Sequence, residues 1–189
     1  MMIPIVAASG TRGAFRSGDL YFDGPTPCMS GECGLKEALT KAYEATQEDD
    51  PIILMDIDGF GSDFLNSELV KEVRMKRRDL LFVTYIRDSE DVISALTGAF
   101  SGLGIPVNTV KDDDVLTDAL DLSEYVFPVV FSKGGREISG GEGVYRIADR
   151  MEDIGFTRML VIDTDQLSAE MMSLRESENL LANAPVSEE

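Results

Sequence analysis

The chain has 189 residues, 43% of them apolar, enough for one well-filled core and short for two. Acidic residues outnumber basic ones 35 to 17, and the net charge of −18 repels nucleic acid and anionic membrane alike. Histidine is absent, which removes the commonest general base and the usual serine or cysteine dyads; any catalysis must run on carboxylates, lysine, tyrosine, cysteine or a metal.

Residues 3–8 are an apolar, β-branched run and predict the first strand, after which Gly10, Gly13 and Gly18 punctuate a turn-rich segment. Gly24, Pro25, Pro27 and Gly31 mark an irregular loop carrying Cys28 and Cys33, a Cys-x4-Cys pair that cannot complete a zinc site from Cys and His alone. Two reduced thiols are expected there, with a redox-sensitive disulfide or a site shared between subunits as the lesser alternative. Leu35, Ala38, Leu39 and Ala42 have helical spacing to about residue 47; Pro51 stops the helix, and residues 52–57 predict the second strand. Asn66 can cap a helix bearing Leu69, Val70 and Val73, with a third strand over 80–85. The basic cluster Lys71, Arg74, Lys76, Arg77 and Arg78 reads as a solvated helix face and end, not a nucleic-acid site.

Asp88 or Ser89 caps the next helix, with Val92, Ile93, Leu96 and Ala99 facing inward and Gly102 and Gly104 closing it. A short fourth strand covers 105–110, and Asp112, Asp113 and Asp114 after it favour a helix start rather than a metal cage. Residues 125–131 predict the fifth strand, Gly134-Gly135 the positive-φ turn of a tight hairpin, 144–154 a helix and 159–162 the sixth strand. Beyond Asp165 a last helix is expected to carry Leu167, Met171, Met172, Leu174 and Leu180. Residues 1–181 thus read as one α/β domain of six βα units, and the polar, acidic residues 182–189 as a disordered tail. No apolar run is long enough to span a bilayer and the amino end lacks signal-peptide order, so a cytoplasmic location is expected. The acidity fits a salt-rich cytoplasm, where surface charge keeps proteins in solution.

Two stretches are variations on one pattern. IPIVAASGTRGAFRSGD, a helical run and PIILMDIDGF answer to FPVVFSKGGREISGG, a helical run and RMLVIDTDQL. Each is an apolar strand, a Gly-Arg turn, a helix and a second strand ending in Asp-x-Asp, which points to a repetitive parallel α/β architecture. Ligands of parallel α/β folds sit beyond the carboxyl ends of the strands, where Asp56, Asp58, Asp163 and Asp165 fall.

With YIRDSEDV between the two copies, this set resembles the ProFAR isomerase family of histidine biosynthesis, half-barrel-repeat (βα)8 proteins that isomerise a phosphoribosyl substrate. The likeness runs to about Ser168 and rests on the order and spacing of the motifs. It implies repeated βα units in a TIM-barrel-like fold of about six strands, an incomplete barrel, with an open layered parallel sheet as the alternative. It also implies catalytic aspartates at the ends of the first and fifth strands, but those positions hold Ala7 or Ala8 and Phe131 or Ser132, which cannot exchange a proton with a substrate. The phosphate-binding glycines are missing too, since strands three and four end VTYIRD and VNTVKD, and no sequence is left for strands seven and eight. The resemblance therefore implies lost isomerase activity and a binding, assembly or regulatory role, with Arg12, Arg87, Arg136 and Asp163, beside Asp56, as ligand-binding candidates. Six strands leave sheet edges uncovered, so a homo-oligomer or a partner protein is expected, with no nucleic acid and no membrane.

A rival enzyme reading uses the paired carboxylates. MDIDGF, Thr84, Lys111 or Lys133 and Asp163-Asp165 resemble the haloacid-dehalogenase phosphatases, in which one aspartate attacks phosphorus, a second two residues on serves as acid/base, and magnesium binds alongside. That reading makes Asp56 and Asp58 catalytic and gives magnesium to Asp56, Asp58 and Asp165. A plainer account has Asp56 and Asp163 capping loops at the strand ends or pairing with Arg12, Arg87 or Arg136.

Overall fold

Short apolar runs separated by amphipathic helices become parallel strands, because each helix returns the chain to the same end of the sheet. The computed structural model describes residues 2–47, 49–73, 79–98 and 100–174. In chain order, β1 (Ile5–Ala8) leads into the pair β2 (Arg16–Asp23) and β3 (Thr26–Gly34), followed by α1 (Leu35–Glu44) and β4 (Ile52–Asp56). Next come α2 (Ile57–Ser62), α3 (Ser67–Val73), β5 (Leu80–Val83), α4 (Ser89–Ala95), β6 (Gly102–Pro106) and α5 (Asp114–Leu122). The chain continues as β7 (Val126–Lys133), β8 (Arg136–Glu137), α6 (Val144–Ile154), β9 (Arg158–Asp163) and β10 (Ser168–Ser173).

Among these residues seven strands form one mostly parallel, strongly curled half-barrel sheet in the order β1-β4-β5-β6-β7-β9-β10, with β8 as a short antiparallel flap on β7. The curl is compatible with an incomplete barrel. β10 runs antiparallel to β9, and the Ile3 amide donates to the Ala169 carbonyl at 2.8 Å, so the two ends of the curl meet within the chain. No helix among the described residues is long and apolar enough to cross a membrane.

Side chains alternate across the sheet. Leu54, Phe82, Leu103, Val130 and Met159 pack on one face against helix residues such as Leu39, Leu69, Val92, Leu116 and Met151. Ile53, Met55, Leu81, Val83, Phe127, Val129, Phe131, Leu160 and Ile162 fill the concave face. The two copies of the repeat share a detail of geometry. Both α1 and α6 start behind a glycine, Gly34 at φ −65°, ψ 136° and Gly143 at φ −65°, ψ 137°. In each, the first helical amide donates back to the preceding turn, Leu35 to Phe15 and Val144 to Gly135.

Five expectations need correction, the smallest at Ile93, expected to face inward on α4 but 55% exposed. Residues 10–34 are more than turns and an irregular loop: β2 and β3 pair as a separate two-stranded sheet about the loop Gly24-Pro25, where Gly24 takes the positive φ of 58° that short hairpin loops favour. Gly102 and Gly104 do not close α4. They open β6, which starts three residues before and ends four residues before the predicted 105–110, because the concave face needs room at them: a Cβ on Gly104 would lie 2.7 Å from a Val129 methyl, 2.8 Å from Val83 and 3.0 Å from the Phe127 ring. Beyond Asp165 stands the strand β10, not a helix; Ala169 and Met171 join the concave core while Met172 and Leu174 join the helix side, a two-residue alternation. Asp113 does not cap α5 with its side chain but binds Arg150 of α6 at 2.7 Å, while Asp114 does occupy the first turn. The predicted roles of Arg74, Lys76, Arg77, Arg78, Ala99, Leu180 and the tail lie outside the described residues.

Gly104 gives a direct test of the packing. Gly104→Val is expected to lower stability by about 1–3 kcal/mol through overpacking, read as a shifted urea midpoint at unchanged slope.

Candidate functional site at the carboxyl ends of the strands

Asp56 ends β4, and alternation turns its side chain away from the concave face and toward the start of α2. It is 0% exposed. Its Oδ1 accepts from the Gly59 amide at 2.9 Å, and its Oδ2 from the Asn66 amide at 2.9 Å and the Thr84 hydroxyl at 2.8 Å. Burial pushes its pKa above the ordinary carboxylate value, against the pull of the Asn66 and Gly59 amides and the Thr84 hydroxyl. Gly59 is required beside it, since a Cβ there would collide with the Asp56 carboxylate.

Asp58 reaches the neighbouring strand end. Its Oδ1 accepts from Ser9 Oγ at 2.8 Å and its Oδ2 from the Gly10 amide at 2.6 Å and Asn66 Nδ2 at 3.3 Å. Asn66 ties the assembly together, because its Nδ2 also donates to the Gly10 carbonyl at 2.9 Å and its Oδ1 accepts from the Leu69 amide at 3.2 Å at the start of α3. Both carboxylates are thereby committed to protein donors that join the ends of β1, β4 and β5 to two helices.

The second Asp-x-Asp closes a turn. Asp163 Oδ1 accepts from the Asp165 and Gln166 amides, both at 2.9 Å, and Asp165 pairs with exposed Lys133 at 3.0 Å. The three arginines singled out by sequence are exposed and separately engaged. Arg136 Nη1 donates to the Gly141 carbonyl at 2.9 Å, beside a hairpin loop in which Gly134 and Gly135 both take positive φ, as expected. Arg87 pairs weakly with Asp88 at 3.4 Å. The Arg12 amide donates to Glu68 at 2.6 Å, and its side chain lines a cleft of about 240 Å³ with Glu68, Lys71 and Glu72. Among the described residues no hydrogen bond or ion pair joins Arg12, Arg87, Arg136 or Asp163 to one another, and no three acidic or cysteine side chains are grouped to hold a metal ion.

The concave mouth itself is apolar. Of the alternatives at the strand ends, Phe131 faces it and is 0% exposed, while Ala8 packs on the helix side with Val6, which leaves buried Ala7 on the concave side. Phe22 of β2 meets Phe131 edge-on with ring centres 5.1 Å apart, and Phe60 of α2 does the same at 5.7 Å. Leu20, two residues before Phe22, packs on the same cluster, so the β2–β3 pair lies across the mouth. Tyr85 and Ile138 complete the apolar rim, and burial pushes the Tyr85 phenol above its ordinary value.

Sequence reasoning missed Phe22 and Ser9, and saw Asn66 only as a helix cap. A signal was present for Phe22: Leu20 and Phe22 alternate with polar residues into Asp23-Gly24, a hairpin pattern. Cys28 and Cys33 are free thiols on β3, and a separation of five residues along one strand is about 16 Å, too far for a bond between them. No family model matches the chain, and no curated protein matches it either.

Proposed function

We propose that this chain is a relative of the ProFAR isomerases, with an incomplete TIM-barrel-like fold, that has lost isomerase chemistry and acts by binding, in an assembly or regulatory role. One observation carries the reading: Phe22, Phe60 and Phe131 occupy the carboxyl-end mouth, where the resemblance implies a phosphoribosyl substrate. An isomerase acting there needs a proton donor and a proton acceptor within hydrogen-bond reach of the substrate. Ala7 near the end of β1 and Phe131, which faces the mouth near the end of β7, supply neither. A cytoplasmic setting and a partner protein or second copy of the chain belong to the same proposal.

The phosphatase reading finds less support. A nucleophilic carboxylate must face both phosphorus and magnesium, whereas Asp56 is wholly buried beneath three donors and Asp58 is bound to Ser9 and Gly10. We expect no growth when the chain is expressed in a histidine auxotroph lacking the isomerase, and no magnesium-dependent hydrolysis of p-nitrophenyl phosphate. Growth would overturn the loss of isomerase activity. Metal-dependent turnover that disappears in a folded Asp56→Asn variant would establish the phosphatase instead.

A further inference from the structure

The amino-end mouth of the curl holds a second cavity, of about 430 Å³, within the range of small-molecule sites. Ile3, Leu81 and Met171 give it an apolar lining. Arg158, the first residue of β9, lies on its wall with the guanidinium 5.3 Å over the Phe127 ring. Among the described residues Arg158 has no ion pair, in a chain whose acids outnumber its bases 35 to 17. Asp79, the acid on the same rim, instead accepts from Ser101 Oγ at 2.9 Å. A guanidinium resting on an aromatic face keeps its N–H edge free, and that edge matches a carboxylate bidentately.

We propose that this amino-end cavity binds a small organic monocarboxylate, with its hydrocarbon part against Ile3, Leu81 and Met171 and its carboxylate on Arg158. One cation and a neighbouring Asp79 favour a single negative charge over a phosphate or dicarboxylate, which would face that aspartate with charge uncompensated. The site uses none of the residues at the carboxyl end, so it stands apart from the loss of isomerase activity.

Calorimetric titration of the full chain with octanoate, octan-1-ol and acetate tests it. Octanoate is expected to bind saturably at one site, with octan-1-ol and acetate each at least roughly tenfold weaker because each lacks half of the recognition. Arg158→Gln is expected to weaken octanoate about tenfold to a hundredfold, and Arg158→Lys by less, since it keeps the charge and loses the fork. Arg146→Gln, exposed on α6, controls for general charge and should leave binding unchanged. The Met171 methyl resonance should shift with octanoate in wild type. Absence of octanoate binding, equal binding of octan-1-ol, binding undiminished in Arg158→Gln, or an equal loss in Arg146→Gln would each overturn the proposal.

Discussion

Phe131→Ala is expected to destabilise the chain by about 3–5 kcal/mol, a large share of the stability of an ordinary domain. Phe131 is fully buried on the concave face and takes an edge contact from Phe22 on one side and Phe60 on the other. Truncation removes its own burial and the geometric gain of both aromatic pairs, about 0.5–1.5 kcal/mol each, and the β2–β3 pair loses the ring on which it rests. The loss is read as a lower urea midpoint, together with faster hydrogen exchange in 16–34. Phe22→Ala should cost less, because Phe22 is only half-buried. A fall below about 1 kcal/mol for Phe131→Ala would mean that the mouth is not packed as described. Phe131→Asp would destabilise the chain further, since it would bury an unpaired carboxylate among apolar rings.

The second large effect is expected at Asp56. Asp56→Ala leaves the Gly59 amide, the Asn66 amide and the Thr84 hydroxyl without their acceptor, at about 1–3 kcal/mol for each buried orphan. Set against this is the burial of a carboxylate that alanine no longer requires, so a net loss of about 2–5 kcal/mol is expected. Asp56→Asn should fall between, because whichever way its amide turns, an NH2 group faces a donor. The pH dependence has a definite sign. Burial raises the folded-state pKa of Asp56, so its stabilisation is fully present below the unfolded value and is lost as pH rises through the raised folded value. The stability gap between wild type and Asp56→Asn should therefore narrow from acid toward neutral pH. A gap that widens instead would mean that the three hydrogen bonds outweigh burial. Either result separates an architectural aspartate from a catalytic one, whose loss would remove activity at unchanged stability.

How much of this was legible in the sequence differs from element to element. The parallel strands were, because runs such as 52–55 and 159–162 are continuously apolar, as strands covered on both faces must be. The repeat of strand, Gly-Arg turn, helix and second strand was legible as well, whereas the glycine that precedes each helix emerged only from the backbone geometry. Asp56, Asp58 and Asp163 were placed at strand ends by pattern, but their donors were not: Thr84 lies 28 residues from Asp56 and Ser9 lies 49 from Asp58. Such distant partners leave no local trace. β10 was misread because Met171, Met172 and Leu174 satisfy helical and strand spacing over so short a run, and only the open edge of β9 decides between them. Gly102 and Gly104 look like a helix stop until Phe127 is seen packed against them. Arg158 carried no signal at all, since an unpaired arginine is defined by what does not surround it.

The proposed loss of isomerase chemistry is tested most directly by incubating the purified wild-type chain with ProFAR across pH 5–9 and following product formation beside an authentic isomerase. With Phe131 and Ala7 at the mouth, conversion should stay at the uncatalysed background at every pH and protein concentration. Conversion that rises in proportion to protein concentration and disappears when the mouth residues are replaced would contradict it.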